Sequence, residues 1–466
     1  MKKTYLIIIS ILFLVVLFFS INFYDKILGK YKQLKDLKTN NDNLISKLKD
    51  KEKEFNELIE LIKNDGIQSL NFNYIKEENK NLGNNKIKIE IFSNPLIKFI
   101  GKRASLEYYK DNLFMISGHG EIFIQKKFEI LSKKISFKKI ETNLNNFVNK
   151  DYIAWSETPF KDIMIKGSNI YVSLTNWRSQ NIPFDPSKDN CFFSEIYVSK
   201  YSEERLNFKK FFSMNECMPI FTNSAGTIMD KYINNEILLT IGDYGSCGKL
   251  AKNYAQDDSH LAGKIISINE MDGSYKIISK GHRNQQGIFY DQVENIIFST
   301  EHGPKGGDEI NINYLSDNKD KEIKNYGWGT ASYGEHYSTN EKYEKKITQA
   351  CKLHKNHKQN NFIEPIKYFV PSIAITQIIL ENNFIIEDEN YYTVYFTSLG
   401  YSAKDGRRSF HKMKLKKDEY GKFKFIDHHY AIIGDRIRDM IYIKKSKKFI
   451  LFMELDGSIA KVSLLN

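Results

Sequence analysis

A chain of 466 residues with 26 Gly against 8 Pro and 14% aromatics is too rich in apolar and aromatic material for a disordered polymer and suits a β-rich domain with appendages. The formal net charge of +12 comes from lysines scattered among Asn and Ile, with no dense basic block, so nucleic acid is excluded as the expected partner. The excess reads as a composition bias, with an acidic envelope polymer as the alternative.

Residues 1–24 open the chain. Lys2 and Lys3 precede a run of about 20 apolar residues, enough to cross a bilayer as a helix. The run is long and bulky and no small-x-small site follows it. An uncleaved transmembrane signal anchor is therefore expected rather than a cleaved signal. Lys2 and Lys3 would stay cytoplasmic. The expected location is a bacterial inner membrane, single-pass, with the rest of the chain on the periplasmic or extracellular side.

Residues 25–65 predict a helical, coiled-coil-like stalk. Ile27, Leu34, Leu37, Asn41, Leu44, Leu48, Phe55, Leu58 and Ile62 fall on three-, four- and seven-residue steps. Lys30 and Lys51 interrupt the seam, and Asn41 at a core position suits a register device. About 36 residues at about 1.5 Å each give roughly 54 Å. A self-associating stalk would make a homo-oligomer; a single packed helix or a tether are the alternatives. Asp65-Gly66 ends the pattern, and 66–86 reads as an Asn-rich linker.

From residue 87 to 466 short strands repeat with polar turns, among them Leu113-Phe114-Met115-Ile116, Ile237-Leu238-Leu239-Thr240-Ile241 and Phe449-Ile450-Leu451-Phe452-Met453. No amphipathic helix alternates with them, so an all-β propeller or several sandwiches are expected. Cys191 and Cys217 flank a predicted hairpin turning near Glu203-Glu204, and would face each other across it as a disulfide. Cys247 and Cys351 lie in separate polar loops and are candidates for a second bridge. No C-x-x-C metal spacing occurs.

The segment 281–311, GHRNQQGIFYDQVENIIFSTEHGPKGGDEIN, holds two glycine-bearing turns around one strand. Arg283, Asn284 and Gln286 offer planar hydrogen-bonding ends, suited to a flat anionic ligand with several carboxylates. Gly303-Pro304 and Gly306-Gly307-Asp308-Glu309 free backbone to face a ligand. With Asn325-Tyr326-Gly327-Trp328, this pattern resembles the soluble sugar dehydrogenases that use pyrroloquinoline quinone, the aldose sugar and glucose/sorbosone dehydrogenases. The resemblance runs from about residue 90 to the C-terminus and implies a six-bladed β-propeller.

It also implies roles. Arg283, Asn284 and Gln286 would contact the quinone, and Arg436 and Arg438 in GDRIRDM, with Asp439, would complete a carboxylate clamp. The carbonyls of Gly303 and Pro304 would hold calcium, a Lewis acid toward the quinone; Asp308 and Glu309 would either add ligands or, the expected role, anchor the loop. The family's general-base His stands about twenty residues before an Ile-Gly-Asp. Here Ile241-Gly242-Asp243 is retained, but Asn223 occupies the base's position and Thr227 replaces an Arg. An amide lacks the basicity to take a hydroxyl proton, and Asp243 would lack its client. A family Lys is also missing, since Gly400 follows Ser398-Leu399; Lys404, in an inserted loop, is a candidate substitute. Val370, before Pro371-Ser372, replaces a family Trp. His119, His302 and Glu157 are the other candidate bases.

The leading expectation is a membrane-anchored sugar dehydrogenase passing electrons to a soluble carrier, because the stalk would hold the propeller away from membrane quinones. The alternative is a catalytically inactive propeller binding a glycan or envelope polymer. A calcium-dependent propeller hydrolase is a third reading, opposed by the arginine sets, since water activation on calcium needs carboxylates.

Overall fold

Strand depth follows apolar pattern. Asn112–Ser117 is buried at all six positions, as a strand packed on both faces must be. Lys134–Thr142 alternates buried and exposed residues because it lies nearer the rim. The computed structural model describes residues 66–149, 152, 158–178, 191–219, 224–315, 323–337, 350–381 and 391–465, and six isolated helical positions between Lys30 and Ile45. The expected anchor (1–24) and the body of the stalk (25–65) lie outside the described residues. No helix among the described residues is long and apolar enough to cross a membrane.

The unit Ser69–Asn466 is an all-β propeller of antiparallel, mostly four-stranded sheets. Their inner strands are Ala104–Tyr109, Phe160–Lys166, Gly226–Lys231, Gln285–Asp291, Ile375–Glu381 and Ile437–Ile443. Each inner strand neighbours the next, and Ile437–Ile443 returns to Ala104–Tyr109, so six sheets close a ring around a central channel. Closure is made by the chain's early part: strand Asn85–Ser93 pairs with the late strand Ser458–Leu465 and completes the sixth sheet.

The expected linker is a correction. Within 66–86, Ser69–Leu82 is a strand paired with both Asn85–Ser93 and Lys134–Thr142, joining the sixth sheet to the first. Its Asn, Glu and Lys residues read as linker composition, yet Leu70 and Phe72 alternate inward and are buried, a period-2 signal that two residues carry weakly. Both disulfides form. Cys191–Cys217 has a Cα separation of 4.8 Å and closes strand Cys191–Lys200 toward the chain beyond Lys209–Ser213; Cys247–Cys351 spans 5.7 Å and ties two loops beside Trp328.

Candidate functional site

The two turns of 281–311 are knitted by a buried carboxylate that no motif reading singled out. Glu301 ends strand Ile296–Glu301 and accepts the Arg283 backbone N–H at 2.6 Å and Asn311 Nδ2 at 2.8 Å. It also lies 3.2 Å from His282 Nδ1, whose ring stacks on Tyr326 with centroids 4.8 Å apart. His302 N–H donates to the Asn284 carbonyl at 2.9 Å, closing the second turn on the first. Asp308 Oδ1 accepts the Gly303 N–H at 3.0 Å, and its Oδ2 accepts those of Ile373 and Ala374 at 2.9 and 2.6 Å. Asp308 thus anchors the loop. Gly307 has φ +72°, and a Cβ there would meet Gly334 N at 2.3 Å, so only glycine fits.

The beginnings of the inner strands and adjoining loops surround a cavity of about 800 Å³. Its wall brings together Arg283, Asn284, Gln286, Gly303, Pro304, Arg436 and Arg438 from separate sheets. Six cationic side chains line it, the other three being Arg103, Lys161 and Arg407, against two carboxylates, Asp308 and Glu454. Gln286 Nε2 donates to Asn284 Oδ1 at 2.8 Å, and Arg438 Nη1 donates to Gln286 Oε1 at 3.3 Å. The amides are therefore oriented before any ligand arrives.

Arg436 and Arg438 share a carboxylate that sequence reasoning missed. Glu454 Oε2 accepts Arg438 Nε at 2.6 Å, and its Oε1 lies 3.4 Å from Arg436 Nε. Burial pushes the Glu454 carboxyl up, but the two guanidinium groups outweigh it and hold it below the ordinary carboxylate value. The arginine pair thus keeps one net positive charge, not two. Asp439 turns away: its oxygens accept Ser105 Oγ and the Leu106 and Met440 N–H groups. It fastens the first sheet to the sixth instead of joining a clamp.

Arg283 Nη1 donates to the carbonyls of His302 and Gly303 at 2.9 and 2.8 Å, and its guanidinium lies 5.3 Å from the Trp328 ring centroid. Asp243 has a client after all, because Trp328 Nε1 donates to its Oδ2 at 2.8 Å. Burial pushes the Asp243 carboxyl up, opposed by Arg283. These contacts bear on calcium. Gly303 O already serves a guanidinium, the Asp308 oxygens are taken by backbone N–H groups, and no cluster of three or more metal-ligating side chains occurs among the described residues. Calcium wants six to eight oxygens and would stand against the Arg283 charge. A metal held by Gly303 and Pro304 would have to share the Gly303 carbonyl with Arg283.

The remaining candidates separate. Asn223 and Glu157 lie outside the described residues, though Ala225 and Gly226 line the cavity. Thr227 points into the core, its Oγ1 on the Ala225 carbonyl at 3.0 Å, and its φ of 69° is strained for a β-branched residue. His302 is on the wall with Nε2 bonded to the Ile375 carbonyl at 2.7 Å. His119 and Lys404 are not among the lining residues, whereas Arg407, three residues after Lys404, is. Arg103, Lys161 and Glu454 sit in no recognisable motif; only the ring closure brings them to the site.

Comparison with known proteins gives the same neighbourhood. The Glucose / Sorbosone dehydrogenase family model matches residues 169–461. An aldose sugar dehydrogenase of Escherichia coli is 37% identical over 97 residues, 18% of this chain and 24% of that protein. The alignments to curated relatives span no more than 36% of those relatives' lengths. Among solved structures, a glucose dehydrogenase aligns with TM-score 0.57 at 16% identity, covering 78% of this chain and 97% of that one. The holo form of the PQQ domain of a pyranose dehydrogenase from Coprinopsis cinerea aligns with TM-score 0.53 at 11% identity, covering 84% and 98%. At these identities the structures speak for the fold.

Proposed function

Because this chain belongs to the glucose/sorbosone dehydrogenase family, we propose that it is a sugar dehydrogenase-like propeller that binds pyrroloquinoline quinone in the 800 Å³ cavity and oxidises a sugar hydroxyl. The observation that carries this reading is the convergence of Arg283, Asn284, Gln286, Arg436 and Arg438 on one wall, six cations facing two acids. A flat ligand with several carboxylates matches that field and those planar donors. When bound, the quinone supplies the hydride acceptor. The protein's own part is electrostatic and positional. Glu454 fixes the Arg436 and Arg438 forks, the Asn284–Gln286–Arg438 relay fixes the amides, and Trp328 backs Arg283. Tyr337 and Tyr401 line the cavity and are exposed, giving flat apolar faces on which a sugar ring stacks. Calcium, implied by the resemblance, enters no step here.

Asn223 favours the second reading, a propeller that has lost catalysis and binds a glycan or envelope polymer. Its amide takes no hydroxyl proton. Titrating the full chain with the quinone, followed by tryptophan fluorescence, tests the first proposal: saturation is expected, and no binding at high micromolar concentration overturns it. Dye-linked sugar oxidation by the wild-type protein would exclude the second. Activity appearing only in Asn223→His would support the loss of catalysis.

The anchor at 1–24, the oligomeric stalk at 25–65, a location on the outer side of a bacterial inner membrane and a soluble electron carrier belong to the same proposal and rest on sequence alone. Recovery of the full chain in the soluble fraction of cells would remove the anchor.

A further inference from the structure

Arg103 stands just before the inner strand Ala104–Tyr109, in a segment that resembles no motif. It is 8% exposed. Its Nη2 donates to the Lys161 carbonyl at 3.1 Å, while its Nε is buried with no hydrogen-bond partner. No carboxylate of the described residues forms an ion pair with it. The acids that attract it, Glu454, Asp162 and Asp439, do so from a distance. Each is committed elsewhere: Glu454 to Arg436 and Arg438, Asp162 and Asp439 to Ser105 Oγ and backbone N–H groups. A guanidinium buried at this level without a counter-charge costs several kcal/mol, and such exceptions call for a functional account.

The position of Arg103 supplies one. It lines the wide cavity and also the narrow one that continues from it, and Lys161, Gln286 and Arg438 line both as well. These four residues therefore form the floor, where a flat ligand would rest. We propose that Arg103, beside Lys161 on this floor, binds a carboxylate of the ligand, so that the ligand brings the counter-ion that no described residue supplies. The proposal rests on the reading above only in naming the quinone as that ligand; the shared chemistry is a multiply charged carboxylate. The arrangement divides the labour: Arg436 and Arg438 are half-neutralised by Glu454 and orient, whereas Arg103 is left to be neutralised. Burial, then Arg438, lowers the Arg103 guanidinium to about 9, and burial with Arg103 and Arg438 lowers Lys161 well below the ordinary lysine value. Both shifts express the cost of holding positive charge on this floor without an anion beside it.

The test is calorimetric titration of the full chain with pyrroloquinoline quinone and, separately, with citrate as a quinone-free tricarboxylate. Wild type, Arg103→Gln, Arg103→Lys and Lys161→Gln are compared. Losing a charged hydrogen bond predicts at least about tenfold weaker quinone binding in Arg103→Gln, with Arg103→Lys intermediate. Thermal unfolding should be unchanged or raised, since an uncompensated buried charge is gone. Equal quinone affinity in wild type and both Arg103 variants would overturn the subsite and leave the dehydrogenase reading standing. Citrate binding that depends on Arg103, without quinone binding, would keep the subsite and remove the quinone. No binding of either probe to wild type would overturn both. If Arg103→Gln does not fold, the Arg103→Lys and Lys161→Gln titrations decide, and wild-type affinity in both overturns the subsite.

Discussion

The two ends of the central channel are built from the same six strands and use charge in opposite ways. Where the inner strands begin, cations line the cavity and are only partly neutralised. Farther along the same strands, Glu107, Asp162, Asp230, Glu381 and Asp439 line a second cavity of about 220 Å³. There Asp162, Asp230 and Asp439 are spent on the fold. Asp162 accepts the Met229 N–H at 2.8 Å, Asp230 that of Tyr290 at 2.6 Å, and Asp439 that of Leu106 at 2.6 Å, each from the next sheet round the ring. Charge that holds sheets together is satisfied inside the protein. At the other end the buried Arg103 guanidinium has no paired carboxylate among the described residues, and that contrast separates the candidate site from the scaffold.

Breaking the scaffold end should have the largest effect. Asp439→Ala removes three accepted hydrogen bonds from a buried carboxylate and strands their donors; a loss of about 3–5 kcal/mol is expected in urea unfolding. A variant as stable as wild type would erase the distinction. At the site end, Arg438→Gln should weaken quinone binding about ten- to a hundredfold, since a charged contact is lost and Glu454 is left half-paired. Equal affinity would show that the arginine pair only pairs with Glu454.

The ends should also differ in pH response. Burial pushes Asp162 up to about 7, with Asp439 adding to it and the Met229 and Ser105 hydrogen bonds opposing. A folded value above the ordinary one favours the protonated form in the fold. Its stabilising contribution is then fully present below about 4 and is lost as pH rises through about 7. Asp162→Asn should flatten that decline between about pH 4 and 7 relative to wild type. An unchanged pH profile of the unfolding midpoint would sink this assignment. The smallest expected effect is at the rim. Tyr401→Ala should raise KM about threefold with kcat and Tm unchanged, because an exposed stacking face contributes about 0.5–1 kcal/mol. A change in kcat instead would move Tyr401 into the chemistry.

Much of the site was legible because its residues are sequence neighbours. Arg283, Asn284, Gln286, Gly303 and Pro304 lie on paired turns, and turn chemistry is local. The strand pattern announced an all-β chain, and the placing of Cys191 and Cys217 about a hairpin announced their bridge. Glu301 was overlooked inside the very motif because a buried carboxylate in a strand has no signature until its donors are known. Glu454, Arg103 and Lys161 were invisible for a different reason. They come from the sixth, first and second sheets, and nothing in their neighbourhoods says that a ring closes. Ser69–Leu82 was misread because its outward residues set its composition while three buried residues, Leu70, Phe72 and Leu82, set its fate.

The sequence by itself determined the period-2 strands, the turn glycines and the cradle of planar donors, since each depends on residues within hydrogen-bonding reach along the chain. Only the tertiary structure decided the electrostatics. It paired Arg436 and Arg438 with Glu454, turned Asp439 into a fastener between sheets, gave Asp243 to Trp328, set Arg283 on the carbonyls of His302 and Gly303, and left Arg103 buried with no paired carboxylate among the described residues. Charge acts through space and through burial, and neither distance nor depth exists until the six sheets have closed their ring.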